Sequence, residues 1–286
     1  ALFGKKDLNS PYNCAARVLL WLSTRAGLCN FSITLAIVKV LPEPVTPNSV
    51  TASCPSLMAC AISLIALGWS PVGLYGDSIL KGAVTGTGSG HLFDIIEESS
   101  LVIACRNLNL ELNNQSVFGS IVTKTQRRLK KDVEKGVVGD LAIIESGGND
   151  CDYDWATISE NPDPQTLPRV PLEDYLRITD EMVQLLRQNK ITPVIMTMPP
   201  LVGDRWFNHI SNGHNCENIN KFVNNVPDKL YRNHELYNLN LMEYCFKNNV
   251  QIVDMRKAML SAPDYRDLMC LDGIHPNEEG YKYMAT

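Results

Sequence analysis

The chain predicts an α/β fold: a three-layer α/β/α sandwich with a mostly parallel sheet of about five strands. Two observations predict it. Short, largely apolar runs recur at Val72-Gly73-Leu74-Tyr75, Leu141-Ala142-Ile143-Ile144, Val194 to Met198 and Val250 to Asp254, each followed by polar or turn residues. Apolar runs without strict alternation suit parallel strands covered on both faces. Between them lie stretches with helical spacing, and strand, helix, strand in alternation packs as a sheet between two helical layers.

The first run ends in Gly76-Asp77-Ser78, which reads as a buried strand turning sharply into a helix. Leu108 to Leu112 is a weaker strand candidate. The basic cluster Arg127-Arg128-Leu129-Lys130-Lys131, followed by Asp132 and Glu134, reads as the solvated face of a helix. Pro171-Leu172-Glu173-Asp174 opens another helix, because proline is tolerated in a first turn and acidic residues favour the positive end of the helix dipole. Leu176, Met182, Leu185 and Leu186 share its apolar face. A further helix is expected from about Asn233 to Lys247, with Leu236, Leu239, Leu241, Tyr244 and Cys245 as apolar candidates. The stretch Gly86 to Gly90 lacks the Gly-Lys-Ser/Thr ending of a phosphate-binding loop and is expected to be a flexible connection.

With 286 residues, the chain can form one large domain or a domain with an appendage. The net charge of -5 gives no electrostatic footprint for nucleic acid. Nine cysteines, an odd number with no Cys-x-x-Cys pair, argue against a disulfide framework and a structural zinc site. A reducing, cytoplasmic compartment is therefore expected. Composition shifts near residue 70: Pro44 to Gly76 carries no charge, and prolines 42, 44, 47 and 55 crowd together. The apolar run Leu57 to Trp69 is short of the ~20 residues that span a membrane, so firm membrane association is not expected. Secretion or anchoring is the alternative if residues 57–69 act as a targeting segment. Residues 1–70 are read as an N-terminal extension whose standing as a native domain is open, and residues 71–286 as the functional domain. Its last helix is expected to be cut at Thr286.

Four short pieces carry the chemistry: Gly76-Asp77-Ser78, Gly119, Gly147-Gly148-Asn149-Asp150 and Asp272-Gly273-Ile274-His275-Pro276. They supply a hydroxyl nucleophile, oxyanion donors, an imidazole base and an orienting carboxylate, the groups that serine-dependent acyl transfer requires. Each has a plainer reading. Gly-Asp-Ser and the glycines suit tight turns, Asp150 suits a helix cap, and a lone histidine suits a structural role. Their order favours chemistry, because loops after parallel strands gather at one edge of the sheet. Asp150, Asp152 and Asp154 lack the glycine and distal glutamate of a calcium loop, so no metal is expected.

Together the pieces resemble the motif blocks of the SGNH hydrolases, also called GDSL esterases and lipases, over roughly residues 71–286. The resemblance implies a flavodoxin-like fold and a serine esterase that uses no cofactor. It implies Ser78 as nucleophile, His275 as base and then acid, and Asp272 as the residue orienting the imidazole. The N–H groups of Ser78 and Gly119 and the side-chain amide of Asn149 would bind the oxyanion. Asp77, Trp155, Arg205 and Trp206 are the candidate substrate-binding residues, the last three because the insertion Cys151 to Pro171 and the loop with Arg205, Trp206 and Phe207 are expected to line the pocket. The expected partner is a small-molecule ester, such as an O-acetyl or short-chain ester of a carbohydrate. A lysophospholipase or thioesterase using the same residues, and a non-catalytic carbohydrate-binding module, are the alternatives.

Overall fold

The computed structural model describes residues 71–86 and 91–285. The expectations for residues 1–70 and for most of the Gly86 to Gly90 stretch lie outside them. Strand β1 (Val72–Tyr75) turns through Gly76 into one helical turn, α1 (Ser78–Lys81). A small antiparallel pair, β2 (Ala83–Val84) and β3 (Asp94–Ile95), precedes α2 (Ser100–Asn107) and β4 (Leu112–Asn114). Next come α3 (Val122–Lys135), β5 (Leu141–Ile144), α4 (Trp155–Glu160), α5 (Leu172–Gln188) and β6 (Thr192–Met196). Helices α6 (Gly203–Ser211), α7 (Cys216–Phe222) and α8 (Asp228–Lys247) lead to β7 (Gln251–Val253). The described chain closes with α9 (Met255–Leu260), a 3-10 turn at Tyr265–Leu268 and α10 (Glu278–Ala285).

The main sheet runs β4-β1-β5-β6-β7 with every pairing parallel. From β1 the chain builds first to one side, at β4, and then to the other, at β5. Loops leaving the carboxyl ends of these strands diverge, and the crevice above β1 is where such sheets bind ligands. Alternation along the strands sorts two cores. Val72, Leu74, Leu141, Ile143, Val194 and Met196 face a layer holding Leu101 of α2, Met255 and Met259 of α9, and Tyr281 and Met284 of α10. Tyr75, Ala142, Ile144 and Ile195 face Leu129 of α3, Tyr175 and Met182 of α5, and Tyr237 and Leu241 of α8. Each of the Val, Leu, Ile and Met side chains among them contributes roughly 1.5–3 kcal/mol by leaving water, so the two layers fix the sheet edge firmly. A third cluster joins Trp155, Ile158, Phe222 and Leu230.

The three-layer parallel architecture is as the sequence predicts, with several boundaries displaced. The edge strand is Leu112–Asn114 and not residues 108–112: Leu108 ends α2, and Asn109, at φ 53°, turns the chain. Asn113 and Asn114 hold that strand through side-chain bonds to the carbonyls of Val137 and Leu80, which hides it from a hydrophobicity reading. Strand β6 starts and stops two residues early, because Met198 N–H bonds the Asn238 side chain instead of a strand neighbour. Helix α8 begins a turn before Asn233, and its buried stripe is Leu230, Tyr237, Leu241 and Cys245; Leu236 and Leu239 are exposed. On α5 the buried residues include Tyr175, Ile178, Met182, Val183 and Leu186, while Leu176 and Leu185 are half-buried. Arg127, Lys130 and Lys131 lie on the exposed face of α3, with Leu129 buried beneath. Among the described residues no helix is long and apolar enough to cross a membrane.

Candidate active site

Ser78 opens α1 at the carboxyl edge of β1, and Asp77 caps that turn by accepting the Ile79 N–H on Oδ1 at 2.9 Å. His275 arrives from the other end of the chain on a pinned loop. Cys270 N–H donates to the His275 carbonyl at 2.8 Å, Asn277 N–H donates to Leu268, and Met269 pairs with Pro276. Gly273 makes the turn at φ 80°, where a Cβ would come within 2.5 Å of the Val202 carbonyl oxygen. Asp272 Oδ1 accepts the N–H groups of Ile274 and His275 at 3.0 and 3.1 Å, which leaves Oδ2 for His275 Nδ1 at 2.6 Å. His275 Nε2 then lies 2.9 Å from Ser78 Oγ.

These distances fix the proton positions. Burial alone would raise the Asp272 pKa, but the hydrogen bonds from the His275 ring and from the N–H groups of Ile274 and His275 outweigh it and hold the carboxyl below its ordinary range. An ionised carboxylate only accepts, so His275 carries its proton on Nδ1 and turns the Nε2 lone pair to the serine hydroxyl. The arrangement can move the Oγ proton to Nε2 as the oxygen attacks an electrophile. The His275 ring packs edge-on to Phe93 at 5.3 Å and lies 6.0 Å from Phe118, which limits its rotation.

Three donors border the same spot. Among the described residues no backbone acceptor takes the N–H of Ser78 or of Gly119. The third is Asn149, whose Nδ2 donates one hydrogen to Asp77 Oδ2 at 2.8 Å and keeps the other. Asp150, next in line, caps a distant helix: its two oxygens accept the N–H of Val122, which opens α3, and of Gly147. Burial pushes its pKa up to about 7, with the Asp77 charge adding to the rise. Asp152 bonds Trp155 Nε1 and faces Arg169, and Asp154 caps α4. The three aspartates thus serve three separate structures.

Behind Asp77 lies Glu145, at the end of β5 and almost wholly buried. Burial, and then the Asp77 charge, raise the Glu145 pKa well above the usual carboxyl range. Asp77 is also raised by burial, yet it holds the Ile79 and Asn149 donors, whereas Glu145 Oε2 meets no N–H or hydroxyl. Of the two, Glu145 is raised well above the carboxyl range, while Asp77 accepts two hydrogen bonds. Asp77 stays an acceptor, and an acceptor there obliges Asn149 to turn its nitrogen inward.

A cavity of about 370 Å³ opens over these groups, lined by Ser78, Gly119, Asn149 and His275 together with Phe93, Phe118, Trp206 and His234. Asp77 lines it too, its carboxylate accepting the Ile79 N–H and the Asn149 Nδ2 hydrogen. Trp206 does line it, from a helix and not from the expected loop. Trp155 does not: it is buried against Tyr153 and Phe222. Arg205 points elsewhere as well, its Nη1 donating to the carbonyls of Arg266, Met269 and Cys270, where it braces the segment leading to Asp272. The sequence reading missed Phe93, Phe118, Glu145 and His234. Only Glu145 leaves a trace, as an acidic residue closing an apolar strand run.

Residues 74–283 match the family model of the GDSL-like Lipase/Acylhydrolase family. A curated relative, the GDSL esterase/lipase WDL1 of Oryza sativa subsp. japonica, is 28% identical over 152 residues, 51% of this chain and 50% of the relative. The chain thus spans about half the length of the curated relative it matches. The lipase/acylhydrolase from Enterococcus faecalis superposes with a TM-score of 0.51 at 17% identity, covering 76% of this chain and 91% of that one. A catalytic mutant of Axe2, an acetylxylan esterase from Geobacillus stearothermophilus, does so with a TM-score of 0.53 at 18% identity, covering 76% and 91%. At those identities the two structures speak for the fold. The match over residues 74–283 identifies the chain itself: it belongs to the GDSL-like lipase/acylhydrolase family.

Proposed function

We propose that the chain is a serine esterase that cleaves a small acyl group, such as an O-acetyl or short-chain ester of a carbohydrate or similar small molecule, through an acyl-enzyme on Ser78. The observation that carries this reading is the unbroken chain from Ser78 Oγ through His275 to Asp272, at 2.9 and 2.6 Å. Ser78 Oγ attacks the ester carbonyl carbon as its proton passes to His275 Nε2, and Asp272 steadies the resulting imidazolium. The oxyanion is met by the N–H groups of Ser78 and Gly119 and the free Asn149 Nδ2 hydrogen. On collapse, Nε2 returns the proton to the departing alcohol. Water then repeats the sequence on the acyl-enzyme, releasing the acid and restoring the serine hydroxyl.

The Axe2 relation supports an acetyl ester of a carbohydrate, and so does a cavity of about 370 Å³, at the small end of ligand sites. A second reading, a hydrolase of longer acyl or thioester groups, draws on the apolar residues Phe93, Phe118, Leu201 and Leu230 in the wall. Hydrolysis of 4-nitrophenyl acetate, 4-nitrophenyl octanoate and an acyl thioester by wild type and Ser78→Ala separates the readings. Preference for acetate, abolished in a folded Ser78→Ala, supports the first. Preference for octanoate or thioester moves the assignment to the second, and full activity in Ser78→Ala ends both.

A further inference from the structure

One stretch of the cavity wall, contributed by α8, is polar and takes no part in the Ser78, His275 and Asp272 chain. Asn233 donates Nδ2 to the Cys151 carbonyl at 2.6 Å, which leaves its Oδ1 as an acceptor. His234 Nδ1 lies 2.5 Å from Nη2 of Arg256. Arg256 is buried and pairs with Glu235 at 2.5 Å.

A guanidinium has donors only and keeps its proton, so His234 Nδ1 must accept. The ring is then neutral, with its single proton on Nε2. Burial, and after it the Arg256 charge, hold the His234 pKa well below the ordinary imidazole range, in agreement with that tautomer. Among the described residues no protein acceptor meets Nε2. The wall thus offers one fixed N–H donor beside one amide acceptor.

Charge narrows what can bind there. Arg256, behind His234, is balanced by Glu235, and Arg169, in the wall, faces Asp152 at 3.6 Å. Burial pushes the Asp152 pKa up to about 6, and the Arg169 charge works against that rise. A carboxylate or phosphate is best held by an uncompensated cation, which this wall lacks. An uncharged hydroxyl or ring oxygen fits a neutral donor, and a hydroxyl also fits the adjacent acceptor. Trp206, half-buried on the same cavity and stacked on His209 at 5.3 Å, adds a flat apolar face.

We propose that His234, fixed by Arg256 with its N–H on Nε2, forms with Asn233 a subsite for the hydroxyl-rich, uncharged alcohol part of the ester, which makes the substrate class a carbohydrate ester. This rests on the esterase reading above. The test compares 6-O-acetylglucose with 4-nitrophenyl acetate, whose alcohol part has no hydroxyls to offer once esterified. His234→Leu raises the KM for 6-O-acetylglucose about three- to tenfold, the size of one neutral hydrogen bond, with kcat altered much less. The KM for 4-nitrophenyl acetate moves by less than half that factor. His234→Gln, which keeps an acceptor for Arg256 and an amide donor, restores most of the loss.

A KM for the sugar ester that His234→Leu leaves in place, or equal shifts for both esters, overturns the subsite alone. A folded wild type that cleaves neither ester overturns the esterase reading and the subsite with it. A measurement on the wild type covers the case in which His234→Leu does not fold. Methyl glucoside should inhibit 4-nitrophenyl acetate hydrolysis at least threefold more strongly than either cyclohexanol or glucuronate, and equal inhibition overturns the proposal.

Discussion

Asn149 is tied to Asp77 by a 2.8 Å bond from its Nδ2 to Oδ2, so the residue beside Ser78 decides which end of the amide faces the cavity. In an unsupported asparagine the oxygen could face a developing negative charge as readily as the nitrogen. The carboxylate removes that choice.

Asn149→Ala therefore lowers kcat by roughly 10²–10³ on 4-nitrophenyl acetate with KM changed far less, the pattern of a donor that acts in the transition state. Asp77→Asn places an amide where the acceptor stood and lowers kcat about tenfold or more. Steady-state kinetics on both variants checks the pair.

Glu145 yields a prediction about pH and stability. Its pKa is raised in the folded protein, by burial first and the Asp77 charge second. The stability this group contributes is fully present below the unfolded carboxyl pKa of about 4.3 and is lost as pH rises through the folded value. Glu145→Gln keeps an N–H donor toward Asp77 and has no proton to lose. Its Tm should match wild type near pH 4 and exceed it increasingly toward pH 8, as thermal melts across that range would show.

Asp272 behaves with the opposite sign. Its folded pKa is depressed, so its contribution is present above the unfolded value of about 3.9 and is lost as pH falls through the folded one. Asp272→Asn can offer its amide N–H to His275 Nδ1, which moves the imidazole proton to Nε2 and removes the lone pair facing Ser78. By comparison with the serine protease triad, kcat falls by roughly 10⁴. Burst kinetics with an aryl ester would show acylation as the slowed step.

Arg205 should act through the loop it braces. Arg205→Ala releases the carbonyls of Arg266, Met269 and Cys270, costs about 1–3 kcal/mol and lowers kcat, while KM stays near wild type. Trp206→Ala, on the cavity wall, should raise KM instead. Thermal melts with parallel kinetics separate the two, and a KM effect confined to Arg205→Ala would contradict this placement.

What could be read in the sequence follows from where local chemistry is dense. Ser78, Asn149, Asp272 and His275 stand in turns whose glycines, aspartates and proline are themselves structural signals, so their strand-end positions are legible. Trp155 and Arg205 looked like pocket residues because their surroundings looked like loops. Helices α4 and α6 have 6 and 9 residues, too few turns for a clear periodicity, and only tertiary packing shows that one side chain is core and the other a brace. The edge strand was misplaced because asparagine side chains, and not apolar area, hold it. Glu145 and His234 were invisible for another reason. Their protonation depends on Asp77 and Arg256, which only the fold brings near.

The serine and the imidazole that faces it are 197 positions apart. Until a growing polypeptide includes Asp272 and His275, Ser78 has no imidazole to face. The contact therefore depends on the loop through Asp272 and His275 meeting the carboxyl edge of β1. On the esterase reading, a polypeptide that stops short of that loop would cleave no ester.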